Sequence, residues 1–376
     1  MPRFARLRAA EVGDVRPGLA RMTLSDGSEA YALTELCGPI RVGDELLVNT
    51  SAVDLGLGTG GAHVVHTNLT SPFAGRPELR GRVMKARYLG EQLPVEAFEE
   101  TGGSPAAISP TSGDAAFDGA EADPAEISDP GTSVPSPSSL RGVRVVFSVL
   151  HSHALALAAT VRAAVGEAPG YVMTDGGALP FVLSDLAAAC LERGVIVTAV
   201  SAGQAFGAPI EAVTVASGVT ALVEQGIDRI VVSPGLGHIG TASPLGFSAL
   251  DLVGHAAVLD ALGAATALAA RASSVDERAR HRGVSHHTRA MAALAPVRTV
   301  VPTPTAPTAP TADEAAGDAV WIEALGQQAV GMTPLPVADA LARSGLSVTT
   351  MGRSLADDRY ACSWLGAAAA WLAAAA

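Results

Sequence analysis

Hydrophobic and polar positions alternate in short runs at the start of the chain, in Ala20 to Leu24, Glu45 to Val48 and His63 to Asn68. The turn dipeptides Pro17-Gly18, Asp26-Gly27 and Gly43-Asp44 separate these runs. Alternation between turn signals marks short strands, so residues 1–100 are expected to form a small β-barrel or sandwich. Further along, the period changes. Arg144 to Val149, Tyr171 to Thr174, Val195 to Val200, Arg229 to Val232, Thr266 to Ala270 and Val297 to Val301 are nearly continuous apolar runs. Helical periodicity follows them at Ala154 to Val165, Leu183 to Arg193, Ala212 to Gln225, Leu250 to Leu262 and His286 to Leu294. Strands buried on both faces, with helices between them, predict an α/β domain with a doubly wound, mostly parallel sheet over 140–302.

Two stretches interrupt this pattern. Residues 101–139 are rich in Gly, Ser, Pro and acidic residues and poor in large apolar ones, which predicts a loop or disordered insert. Residues 303–316 contain T-P-T-A-P-T-A-P-T-A and read as an extended, Pro-rich linker. Beyond it, 317–376 is expected to complete the α/β domain, with a helix at Val337 to Arg343 and a strand at Leu346 to Thr350. No internal repeat is evident.

Composition narrows the function classes. The net charge of −12 disfavours nucleic-acid binding, which needs a basic face. Lys85 is the only lysine. A P-loop ending in Gly-Lys-Ser/Thr is therefore excluded, and any Schiff-base chemistry would have to use Lys85 or an exogenous amine. Cys37, Cys190 and Cys362 are too scattered for a zinc ribbon, an iron–sulfur centre or a disulfide framework. No signal sequence is recognised, and no apolar run reaches the ~18–20 residues that span a bilayer. The expectation is a reduced, cytoplasmic protein without membrane contacts. Homo-oligomerisation stays open.

The candidate chemistry lies where an open parallel sheet binds ligands, at the carboxyl ends of its strands. The segments expected there are H-S-H (151–153), T-D-G-G-A-L-P (174–180), S-A-G-Q-A-F-G-A-P (201–209), S-P-G-L-G-H-I-G-T (233–241) and T-M-G-R (350–353). Asp175 is a candidate base, ligand orienter or metal ligand, against the alternative of an Asx turn or helix N-cap. Gly176, Gly177, Gly235, Gly237, Gly240 and Thr241 can offer backbone N–H groups to an anion. G-L-G-T-G-G (56–61) imitates a dinucleotide fingerprint, but an alternating strand pattern follows it, not a helix.

Three of the nine histidines, His281, His286 and His287, fall within seven residues. Ser285 is a suitable N-cap for a helix beginning at His286, which would set His286 and His287 at the positive end of the helix dipole and keep them neutral. Arg280 and Arg282 stand ready to hold an anionic group. Neighbouring helical side chains diverge by about 100°, so one of the two adjacent histidines is expected to face a common ligand. Anion binding with acid/base use of one histidine, metal binding and a structural polar network all remain open. No Gly-x-Ser-x-Gly elbow signals a serine nucleophile.

These segments together resemble a known family. L-H-S, Y-V-M-T-D-G-G-A-L-P, P-G-x-x-G-T-x-x-P-L-G-F-S, R-H-R-G-V-S-H-H and V-T-T-M-G-R occur in the order seen in domain-of-unknown-function family 3866, found largely in high-GC bacteria. R-P-G-L-A-R and L-G-L-G-T-G-G-A-H near the start also fit. Departures fall at His153, Leu155, Gln204, Pro209 and His238. The resemblance brings no reaction with it, and no cofactor is indicated. The working expectation is an enzyme acting on a small anionic metabolite through His acid/base chemistry. A non-catalytic small-molecule sensor or partner-binding protein and a metal-dependent hydrolase are the alternatives.

Overall fold

A computed structural model describes residues 2–57, 60–71, 81–100, 136, 139–305 and 312–374. Nearly all of the insert at 101–139 and the centre of the Pro-rich segment, 306–311, lie outside the described residues, as do residues 58 and 59 of the glycine run.

The N-terminal alternation closes into a five-stranded barrel of β1 (Phe4–Arg16), β2 (Leu19–Leu24), β3 (Glu29–Leu33), β4 (Glu45–Asn49) and β5 (His63–Asn68), in the order β1-β2-β3-β5-β4. Only β3 and β5 pair in parallel. Inward positions such as Ala20, Met22, Leu24, Leu46 and Val48 fill the interior, so the period-2 pattern is the inside-outside code of the barrel. The strand at β5 accounts for the failure of the glycine run before it to open a dinucleotide-binding helix.

A hairpin of β6 (Val83–Lys85) and β7 (Leu93–Val95) leads to the second unit. Here β8 (Arg144–Ser148), β9 (Gly170–Thr174), β10 (Ala199–Ala202), β11 (Ile210–Ala212), β12 (Arg229–Pro234) and β13 (Ala265–Ala269) form one sheet in the order β11-β10-β9-β12-β8-β13. Every pairing in it is parallel. Successive residues of a strand enter opposite cores. Val146 and Val231 pack with the helices His151–Val165, Val337–Ser344 and Arg359–Ala373, while Val145, Phe147 and Val232 pack with Val215–Glu224 and Leu252–Ala261. Burial on both faces is why these strands read as unbroken apolar runs.

The fold differs from the sequence reading at several places. The H-S-H segment is the first turn of the His151–Val165 helix, with His151 and His153 buried. A strand runs from Val301 to Pro304, not from Val297 to Val301, and pairs with Ala329–Met332. Val297 is exposed. Leu346 to Thr350 supplies only a two-residue ladder, Thr349–Thr350 against Arg353–Ser354, while Leu346 and Val348 serve as core residues. Part of the linker is helical, since a helix begins at Ala312. The Arg359–Ala373 helix, not among the elements expected from the sequence, is buried along most of its length and N-capped by Asp358. No helix among the described residues is long and apolar enough to cross a membrane.

Adjacent strands β9 and β12 send the chain in opposite directions, β9 on to β10 and β12 on to β13. This is a topological switch point, the usual place for a ligand crevice. The two loops touch backbone to backbone there. A Cβ on Gly177 would lie 2.4 Å from the Gly235 carbonyl oxygen, and one on Gly235 would lie 2.2 Å from that of Ala178. Ala178 N–H donates to the Leu236 carbonyl at 2.7 Å, tying the loops together. Gly177→Ala is expected to destabilise the protein by about 2 kcal/mol through this collision, seen as a lower urea midpoint; an unchanged midpoint would contradict the close approach.

Candidate metal centre and interdomain cleft

The loop after β12 divides the sequence-predicted residues into two groups. On one side, a cleft of about 880 Å³ lies between the barrel and the sheet edge. Asp175, Gly176, Gly177, Gly237 and Ser248 from the α/β unit line it, facing Glu29 and Tyr31 from the barrel. Arg16 and Arg21 of the barrel both pair with Asp185, at 2.8 and 2.9 Å, at the start of the Asp185–Glu192 helix. Asp175 caps no helix; Ser184 takes that role, accepting from Ala187 N–H. The Asp175 carboxylate instead accepts from Gln204 N–H at 2.9 Å and rests on the bare Cα of Gly203, whose φ is +70°. None of the clustered histidines lines this cleft.

On the other side of the loop, His281, His286 and His287 come together. One ring nitrogen from each can be chosen so that all three lie within 4.8 Å of one another. Ser285 caps the His286–Leu294 helix as its sequence position suggested, accepting from His287 N–H. The same Ser285 Oγ lies 2.7 Å from His281 Nδ1. Both adjacent histidines share the cluster, their ring centroids 4.2 Å apart. The divergence expected for helical neighbours is offset by the backward lean of side chains toward a helix N-terminus, where His281 waits.

Hydrogen bonding fixes which nitrogens are free. His286 Nδ1 lies 3.2 Å from the Arg280 carbonyl, which can only accept, so Nδ1 carries the proton and Nε2 keeps a lone pair. That Nε2 is buried without a hydrogen-bond partner among the described residues, as is Nε2 of His238. Neither ring nitrogen of His287 has a partner in hydrogen-bond geometry there, although the Thr241 carbonyl approaches the ring. His287 stacks on Phe247 at 4.1 Å and lies against Gly240, where a Cβ would come within 2.8 Å of its Cε1. Burial, followed by the charge of Arg271, pushes His281 down to about 3. Burial and the neighbouring His286 do the same to His287, while the Thr241 carbonyl pulls in the opposite sense. Both rings are neutral at pH 7, as metal ligands must be.

The arginines are distributed otherwise than the sequence implied. Arg280 is exposed and contributes its carbonyl, and Arg282 donates through Nε to the Asp276 carbonyl. The charges felt by the imidazoles come from Arg271 and Arg278, both paired to the buried Asp276. Arg271 and Asp276, just upstream of the cluster, and Phe247, on a more distant loop, are not singled out by the sequence, whereas His238 lies in the glycine-rich 233–241 loop expected at the same sheet edge. Lys85, the one candidate for Schiff-base chemistry, is wholly buried. Its ammonium donates to the carbonyls of Gly203, Ala205 and Ala212 at 2.8–3.0 Å and faces Glu211 at 3.4 Å. All three N–H bonds are engaged, so it offers no nucleophile.

Compared with known proteins, the chain matches the family described as "Protein of unknown function (DUF3866)" over residues 29–111 and 121–370. No curated protein and no solved structure matches it.

Proposed function

We propose that this chain, which belongs to the DUF3866 family, binds one divalent transition-metal ion through His281, His286 and His287 and uses it to activate water in a hydrolytic reaction. The observation that carries this reading is the set of buried imidazole nitrogens without hydrogen-bond partners. Buried polar atoms are ordinarily satisfied, and several unpartnered imidazole nitrogens in one spot are what a bound cation would satisfy together. The supporting shell has the form that metal sites use, with the second nitrogen of a ligand histidine held by a carbonyl or hydroxyl, here Arg280 and Ser285. Three imidazole ligands suit a zinc-like ion and leave a position for water, whose pKa such an ion lowers to about 7.

Tetrahedral bonds of ~2.0–2.1 Å need ligand nitrogens roughly 3.3 Å apart, so small rotations of the rings from their present 4.8 Å limit would complete the geometry. An anionic group on the substrate fits the histidine side of the loop, near Arg271 and Arg278, better than the cleft, where Glu29, Asp175 and Asp251 gather. Elemental analysis of purified protein is expected to find about one zinc-class ion per chain. His286→Ala and His287→Ala should each lower its affinity at least about 10–100-fold. Metal-free protein that takes up no ion when titrated with zinc would refute the reading.

A further inference from the structure

We propose that His238 is a displaceable fourth ligand, carried on an exposed wall of the interdomain cleft, so that the centre is closed at rest and opens when the loop is displaced. This rests on the three-histidine reading above. Two imidazoles bound to one tetrahedral ion have ring centres about 5 Å apart, given metal–nitrogen bonds of ~2.0–2.1 Å. His281 lies 5.1 Å from His287 and 4.9 Å from His286 by this measure, while His286 and His287 are closer, at 4.2 Å. His238 stands edge-on to His287 at 6.0 Å, about one ångström beyond the ligand spacing to that ring, and lies outside the three-histidine group, so the loop must carry it inward to bind. Its Nε2 is buried without a partner, which a histidine placed there for packing alone would not leave so.

The carrier of His238 differs from that of the other three. His281, His286 and His287 sit on a short helical turn and on the first turn of a helix. His238 sits on the segment Leu236–Leu245, which is exposed apart from His238 itself. Behind it the loop is pinned, with Ile239 N–H donating to Ser248 Oγ at 3.1 Å and Ser248 N–H donating to the Ile239 carbonyl at 2.9 Å. Before it, Gly237 holds a φ of +64°, a conformation open to glycine and a pivot for the histidine. Leu236, Gly237 and Ile239 line the cleft, while His238 reaches the imidazoles on the opposite face. A molecule pressing on Leu236 and Ile239 therefore displaces the same backbone that holds the fourth ligand. Structural metal sites are closed and catalytic ones keep an open position; this loop gives one centre both states.

The test uses full-length protein loaded with Co²⁺, whose visible absorption reports coordination, titrated with azide. Wild type is expected to show a four-nitrogen spectrum and weak azide binding. His238→Ala and His238→Gln should retain the ion, shift the spectrum and bind azide about tenfold more tightly, the factor set by a site closed nine-tenths of the time. Equal spectra and equal azide affinities in wild type and both variants overturn the fourth-ligand role while leaving the three-histidine centre standing. Failure of wild type to take up Co²⁺ at all removes the centre itself, and this proposal with it.

Discussion

Lys85→Met is expected to cost about 3–5 kcal/mol of stability, read as a fall in the urea midpoint at unchanged slope. The ammonium is wholly buried where the β6–β7 hairpin meets the edge of the parallel sheet. Methionine fills the volume but donates nothing, so the carbonyls of Gly203, Ala205 and Ala212 lose their donor together. Glu211, already pushed up to about 7 by burial despite Lys85, loses its counter-charge as well. Adding Glu211→Gln should recover part of the loss, because an orphaned carboxylate is costlier than an orphaned amide. A single variant within 1 kcal/mol of wild type, against the ~3–5 expected, would show that the ammonium does not hold the hairpin.

Acid is the second large perturbation. His151 Nδ1 lies 2.7 Å from Tyr171 Oη and its Nε2 lies 2.6 Å from Ser184 Oγ; Tyr171 Oη lies 2.9 Å from Ser233 Oγ. Ser233 donates to the Pro234 carbonyl, and Ser184 accepts from Ala187 N–H. The chain closes in one polarity. Ser184 donates to His151 Nε2, His151 Nδ1–H donates to Tyr171, and Tyr171 donates to Ser233. A proton on Nε2 would meet a hydroxyl with no acceptor left for its own hydrogen.

Burial lowers His151 from its ordinary 6.5 to about 4, and burial with the charge of Arg271 lowers His153 to about 3. Both folded-state values lie below the unfolded one. Their contribution is therefore complete above about pH 6.5 and is lost as pH falls toward the folded values, because the unfolded chain takes up protons first. Each ring corresponds to roughly 3–5 kcal/mol over that window. Denaturation at pH 7, 6, 5 and 4 should show a steep decline below pH 6.5; a flat profile would mean that these rings are protonated or unfolded-like in the native state.

What the sequence made legible was what neighbouring residues decide. The His286–Leu294 helix and its Ser285 cap could be read because capping is chemistry within three residues. The central strands could be read because burial on both faces leaves an apolar run. Val301–Pro304 was misplaced because Pro302 and Pro304 argue against a strand; the chain bridges to β13 through Val300, just before the segment, which itself pairs with the short Ala329–Met332 strand. Of the candidate site, the histidine cluster and the loop bearing His238 were both expected at one sheet edge, but the ring contact of His238 with His287 could not be read from spacing. Forty-three residues separate His238 from His281, and only the return of the chain through β13 brings them together. Asp175 looked like a partner of the histidines because both belong to one sheet edge. The loop that alternates its side chains between two faces keeps them on opposite sides.

The seclusion of Lys85 has a chemical corollary. Within this chain no other side chain carries a primary amine. Acyl transfer to lysine, isopeptide tagging and amine-reactive crosslinking thus find no side-chain target on the folded surface. The single ε-amine becomes reactive only when the hairpin lifts from the sheet, so its labelling rate is a clock for local opening.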